Sequence, residues 1–202
     1  MAVTELALLR LKAPEPSAVS RKDLRAAQQG QSEYSGHPVK FLRSVEDQSD
    51  FFLIGGWESV DQHRGEWIIS EMNQRLLGKL KDAVDVKWMF HLDIDPSAPV
   101  PFSAPIIGVA RCFVEQSNKA EFDRLFAAGF EDLKIFTAPY PCFGGWRIDK
   151  EGEDEEFVLF TGWNSVEQHQ EFYKSELSRE FAKTKSVIKQ TDVKHVQLEK
   201  WE

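Results

Sequence analysis

Five histidines, at 37, 63, 91, 169 and 195, supply the side chains whose ordinary pKa lies near neutrality. They are scattered, and no His, Cys, Asp and Glu fall at metal-ligand spacing, so no metal site is expected. His195 is the candidate catalytic residue. In an apolar pocket it would act as general base or acid toward a phenol or an activated C–H. A hydrogen-bonded structural histidine is the competing reading. Trp57, Trp88, Phe90, Trp146, Trp163 and Gln197 are the candidate walls of a substrate pocket. Arg111 is the candidate anchor for a carboxylate or enolate, against the alternative of an arginine paired with an acid at a strand edge. No G-x-S-x-G and no dinucleotide glycine fingerprint occurs. Gly144-Gly145 is followed by neither Lys-Ser/Thr nor a helix, so it is no phosphate loop. No cofactor is expected. Cys112 and Cys142 read as buried thiols.

These residues sit in an internal repeat. Phe51–His63 (FFLIGGWESVDQH) and Phe157–His169 (FVLFTGWNSVEQH) share eight of thirteen positions, at an offset of 106. Asp85-Val86-Lys87 matches Asp192-Val193-Lys194 downstream, and Leu6–Arg10 resembles Ile107–Arg111 upstream. The chain therefore divides into residues 1–95, a linker at 96–105 that contains four prolines, and residues 106–202.

Both halves show the same order of patterns. The first reads as a strand over Thr4–Lys12, a helix over Ser20–Gln31, strands over Val39–Ser44 and Phe51–Trp57, one long helix from Ser59 to Leu80, and a strand over Val86–Leu92. The second reads as Ile106–Val114, a helix over Ser117–Leu133, strands over Cys142–Asp149 and Glu156–Gly162, one long helix from Asn164 to Ile188, and a strand over Val193–Leu198. This predicts an α+β fold of two tandem ferredoxin-like βαββαβ repeats. Each repeat leaves one sheet face bare, and burying those faces together would give an intramolecular α/β-barrel. Aligning the last strands on Asp-Val-Lys matches Trp88 with His195 and Phe90 with Gln197. Alternation then places these four in the barrel interior, and Met89, His91, Val196 and Leu198 against the helices. His63 and His169, repeated at the helix starts, read as scaffold.

Composition bounds the partners. Hydrophobic residues make up 42% and charged residues 29%, with 15 Phe and 6 Trp, a globular balance. No apolar run approaches the ~18 residues of a membrane span. Met1–Lys12 lacks the pattern of a secretory signal. A net charge of −8 without a basic cluster argues against nucleic acid. Two cysteines suggest a reducing, cytoplasmic setting.

Trp57-Glu58-Ser59 and its twin Trp163-Asn164-Ser165 resemble the W-x-S signature of the antibiotic biosynthesis monooxygenase-like proteins of the dimeric α/β-barrel superfamily. The resemblance covers both halves, in what would be a fused form. It implies cofactor-independent oxygenation of aromatic polyketides, haem degradation, cyclisation or isomerisation. The haem-degrading members carry an axial His late in the second helix and an Asn in the first strand. The matching stretches here, Leu76–Lys81 and Phe181–Ser186, hold no His, and the first strands hold no Asn. Haem is therefore not expected, and only the Trp of the oxygenases' Asn–Trp pair carries over. The expected function is a small-molecule enzyme acting on a hydrophobic, aromatic or polyketide-like substrate, as a monomer or homodimer. The alternative is a non-catalytic barrel that binds a small apolar ligand.

Overall fold

Alternating apolar residues at the start of each half become a central strand, flanked on both sides by antiparallel strands of the same half. The computed structural model describes residues 1–13 and 15–200. One compact unit comprises Met1–Ser97 together with residues 198–200, and the other comprises Ala98–Gln197.

The first unit runs β1 (Val3–Leu11), α1 (Ala18–Ser35), β2 (Lys40–Ser44), β3 (Asp50–Trp57), a π-helical turn (Gln62–Trp67), α2 (Glu71–Leu80) and β4 (Val84–Leu92). The second runs β5 (Ile106–Val114), α3 (Lys119–Thr137), β6 (Cys142–Trp146), β7 (Glu155–Trp163), α4 (Val166–Phe172), α5 (Ser178–Phe181), a 3-10 turn (Ala182–Ser186) and β8 (Ile188–Leu198). The strand orders are β4-β1-β3-β2 and β8-β5-β7-β6. Both are the ferredoxin-like arrangement, with the first and third strands at the centre.

The single long helix expected in each half is interrupted. In the first unit the Ile68 N–H bonds back to His63 O at 2.9 Å, closing a π turn. Ser70 then restarts the helix, its hydroxyl accepting from Asn73 N at 3.1 Å. The freed Ile68 carbonyl takes Asn73 Nδ2 and Gln74 Nε2 instead. In the second unit the chain turns after Phe172 and restarts as α5. Gly129 of α3 lets that restart approach. A Cβ there would lie 2.4 Å from the Phe181 backbone, so no larger residue fits without movement.

Residues 98–105, expected as an extended linker, belong to the second unit and form tight turns, with Val100 N bonded to Ala98 O and Phe102 N to Val100 O. Pro101 and Ala104 pack over Gly162, where an added Cβ would come within 2.9 and 3.0 Å of them.

Strand register shows which residues correspond. Val3 pairs with Trp57 and Ile106 with Trp163, so Glu5, opposite Gly55, corresponds to Gly108, opposite Thr161. On the other side, Glu5 pairs with His91 and Gly108 with His195. His91 and His195 are thus equivalent. The Asp-Val-Lys alignment slipped by three residues, because the strand irregularity lies between Leu8 and Leu9 in one unit and between Phe113 and Val114 in the other. An odd slip exchanges the two faces of a strand. Trp88 and Phe90 do lie on the face away from the helices, where Trp88 meets Phe52. His195 does not: it lies on the helix-covered face.

Candidate functional site

The repeated segment Trp-x-Ser-Val-x-Gln-His builds the same local structure twice. Ser59 accepts from Gln62 N at 3.0 Å while Gln62 Oε1 accepts from Glu58 N at 2.9 Å. Ser165 and Gln168 repeat this at 3.2 and 2.6 Å. Such a reciprocal cap fixes the first turn, and the histidine that follows is set down on the tryptophan. His63 stacks on Trp57 with ring centroids 4.2 Å apart, and His169 on Trp163 at 4.4 Å. The other side of each imidazole reaches the last strand. His63 Nδ1 lies 2.7 Å from His91 Nε2, and His169 Nδ1 lies 2.9 Å from His195 Nε2. His63 and His169, read from sequence as scaffold, are therefore the centres of two Trp–His–His clusters.

Each cluster stands at the wall of a cavity between sheet and helices. The first unit's chamber has a volume of about 250 Å³. Its walls are mainly apolar, including Leu9, Leu24, Phe41, Leu53, Trp67 and Leu80, with Glu5, Gln31, His63 and Asn73 as the polar members. The second unit's chamber, about 180 Å³, is walled by Phe122, Phe126, Phe157, Phe172 and Phe181 and carries Thr161, Trp163, His169 and Tyr173.

The two polar ends differ. Glu5 is 4% exposed. Its Oε2 accepts from Gln31 Nε2 at 2.7 Å and Trp57 Nε1 at 2.9 Å, with His63 Nε2 at 3.7 Å. Burial raises its pKa above the ordinary carboxylate value, against the lowering influence of Trp57, His91 and Gln31. In the second unit the carboxylate is replaced by Gly108, and Trp163 Nε1 donates to Thr161 Oγ1 at 2.8 Å. Glu5 opposite Gly55 has become Gly108 opposite Thr161, so one polar group serves each tryptophan. His169 is pushed down to about 4 by burial and by His195, and is neutral near pH 7.

The residues expected from sequence distribute unevenly. Trp163 lines the second chamber, while Trp57 lies behind His63 as its platform. His195 stands behind His169 rather than beside aromatic partners on the opposite face. Trp88 and Phe90 face away from the first unit's cluster. Gln197 is exposed. Trp146 packs on Phe122 and Phe157 and donates to Asp123 Oδ1, outside the chamber lining. Arg111 is paired with the buried Glu156 at 2.5 Å, on the face away from α3 and outside both chambers, and Arg147 shares that carboxylate at 3.1 Å. Sequence reasoning passed over Glu5 and Gln31. The signal for Glu5 is its parity: Val3, Glu5, Ala7, Leu9 and Leu11 share one face of β1, so a charge stands in an otherwise apolar row.

No protein-family model and no curated protein matches the sequence. Solved structures match over nearly the whole chain. A candidate monooxygenase from Lactobacillus acidophilus NCFM aligns with TM-score 0.64 at 10% identity, covering 98% of this chain and 93% of its own. An anthrone oxidase-like protein aligns with TM-score 0.65 at 12% identity, covering 98% and 92%. A chlorite dismutase variant from Candidatus Nitrospira defluvii aligns with TM-score 0.64 at 11% identity, covering 99% and 92%. At these identities the likeness is one of fold alone, a tandem ferredoxin-like α+β arrangement. At about 250 and 180 Å³ both chambers fall below the ~300–1,000 Å³ common for ligand pockets, too small for a haem. Among the described residues no group of three or more His, Cys, Asp or Glu could hold a metal, and no helix is long and apolar enough to cross a membrane.

Proposed function

We propose that this chain is a small-molecule enzyme of the cofactor-independent monooxygenase-like type, acting on a compact hydrophobic, aromatic or polyketide-like substrate. The reaction begins with removal of a proton from a phenol or an activated C–H and continues as oxygenation, cyclisation or isomerisation. Where oxygenation follows at a methylene, dioxygen supplies one atom to carbon. The other leaves as water with the two hydrogens lost.

One observation carries the reading: a mainly apolar chamber under the helices, with a Trp-stacked His–His pair at its wall. Apolar walls take the ring system, and few convergent polar groups orient it. In a medium from which water is excluded, a hydrogen-bonded imidazole or carboxylate acts strongly on a developing anion. The neighbours that share this fold include a candidate monooxygenase and an anthrone oxidase-like protein. His195, expected to be the base, takes in this reading the part of orienting His169.

The test is anthrone, a compact tricyclic ketone with an acidic methylene. Binding is followed by quenching of tryptophan fluorescence, and turnover by oxygen uptake and quinone formation above the rate without protein. Saturable binding with turnover supports the reading. Saturable binding with anthrone recovered unchanged supports a ligand-binding protein, and no binding contradicts an open apolar chamber.

A further inference from the structure

We infer that Glu5 is the catalytic base of this chain and that proton abstraction is confined to the first unit's chamber. This rests on the reading just given and names the group and the half that perform it. Glu5 lines the chamber. Its Oε2 is held by Gln31 and Trp57, while Oε1 makes no hydrogen bond among the described residues. A buried carboxylate oxygen without a donor, beside an apolar space, is costly to maintain for folding alone. It is well placed to accept a proton from a bound acid. In the step, a substrate C–H or O–H bond breaks, the proton passes to Glu5 Oε1, and the electron pair stays on the substrate as an enolate or phenolate. Returning the proton at another carbon isomerises the substrate. Dioxygen, as co-substrate, carries the anion on to an oxygenated product.

The second unit argues the same point by contrast. It keeps the stacked tryptophan, the paired histidines and a chamber, yet Gly108 stands in register where Glu5 stands. A carboxylate cannot simply be restored there, since a Cβ on Gly108 would lie 2.6 Å from Thr161 Oγ1. The stacked tryptophan, the paired histidines and the chamber are thus common to both halves, and the carboxylate is the element on which the halves differ. The titratable groups facing Glu5 are His63 from the π turn and His91 from β4. The helix α1 offers Gln31, and β3 offers Trp57.

The experiment is anaerobic exchange of the anthrone methylene in D2O, read by proton NMR, with binding read in parallel by tryptophan fluorescence. Wild-type protein is expected to accelerate exchange. Glu5→Gln is expected to lose about 100-fold or more of that acceleration, with binding held within about threefold. Exchange by Glu5→Gln at the wild-type rate overturns the assignment. Should circular dichroism show Glu5→Gln unfolded, Gln31→Leu decides. It removes a donor that favours the ionised carboxylate, so the acid limb of the exchange profile moves to higher pH if Glu5 is the base. A limb that stays in place overturns the assignment. Binding by wild type without exchange also overturns it but leaves the chamber reading standing. Loss of binding altogether removes the reading beneath it.

Discussion

The indole Nε1 of Trp57 donates a 2.9 Å hydrogen bond to Glu5 Oε2, with both side chains inside the first unit. The bond ties the strand-end tryptophan of a repeated motif to a carboxylate that only one half possesses. Trp57→Phe keeps a ring for His63 to stack on but removes the donor. The variant is expected to lose about 1–3 kcal/mol of stability, the cost of under-satisfying a buried acceptor, measured by denaturant unfolding. A loss below about 0.5 kcal/mol would place Glu5 in a wetter site than its burial indicates.

His169 makes stability depend on acid pH. The unfolded imidazole binds a proton near its ordinary value of 6.5, while the folded one resists until about 4. The unfolded state therefore binds more protons between these values. Stability is full above 6.5 and falls as the pH drops toward 4, by at most ~3 kcal/mol. Glu5, raised by burial, acts in the opposite sense, its contribution being lost as pH rises above the ordinary carboxylate value. The comparison that isolates His169 is wild type against His169→Phe at pH 7.5 and 4.5. The variant is expected to lose less stability between the two.

The exchange of Glu5/Gly55 for Gly108/Thr161 predicts coupling. Gly108→Glu alone presses its Cβ against Thr161 Oγ1 at 2.6 Å and Trp163 Nε1 at 3.0 Å. It is expected to cost more than about 2 kcal/mol. Adding Thr161→Gly makes room, and the double mutant is expected to recover about 0.5–3 kcal/mol relative to additivity. Additive costs in the unfolding cycle would contradict the register equivalence of the two halves.

Ala7 lines the first chamber from β1. Ala7→Phe projects a ring into it and is expected to abolish anthrone exchange, while overpacking costs about 1–3 kcal/mol. Exchange rate and thermal unfolding measured on the same preparation separate the two effects. A folded Ala7→Phe protein with full exchange would move the chemistry out of this chamber.

The βαββαβ order was legible in the sequence because alternation, caps and the eight shared positions all point the same way. The broken helices were not, since Trp67, Ile68, Met72 and Leu76 keep helical spacing across a π turn set by the Ile68–His63 bond. The residues of the Trp–His–His clusters were legible singly, and their arrangement was not. The three identities of Asp-Val-Lys outweighed a register fixed by hydrogen bonds that composition does not reveal, and an irregularity at different points of β4 and β8 turned His195 to the wrong face. The repetition of His63 and His169 was read as scaffold. It also marks the position where a stacked imidazole meets a strand histidine. Glu5 was passed over because it has no twin, although its lack of a twin is what distinguishes the halves.

The central claim is that a compact hydrophobic ligand enters under the helices, against the Trp–His–His clusters. The direct measurement is the side-chain NMR spectrum of the imidazole and indole groups as anthrone is added. The predicted result is that resonances of His63, Trp67, His169 and Trp163 shift saturably while the Trp88 indole stays in place. A shift of Trp88 with the four cluster and chamber residues unmoved would contradict the account and return the site to the opposite faces of the sheets.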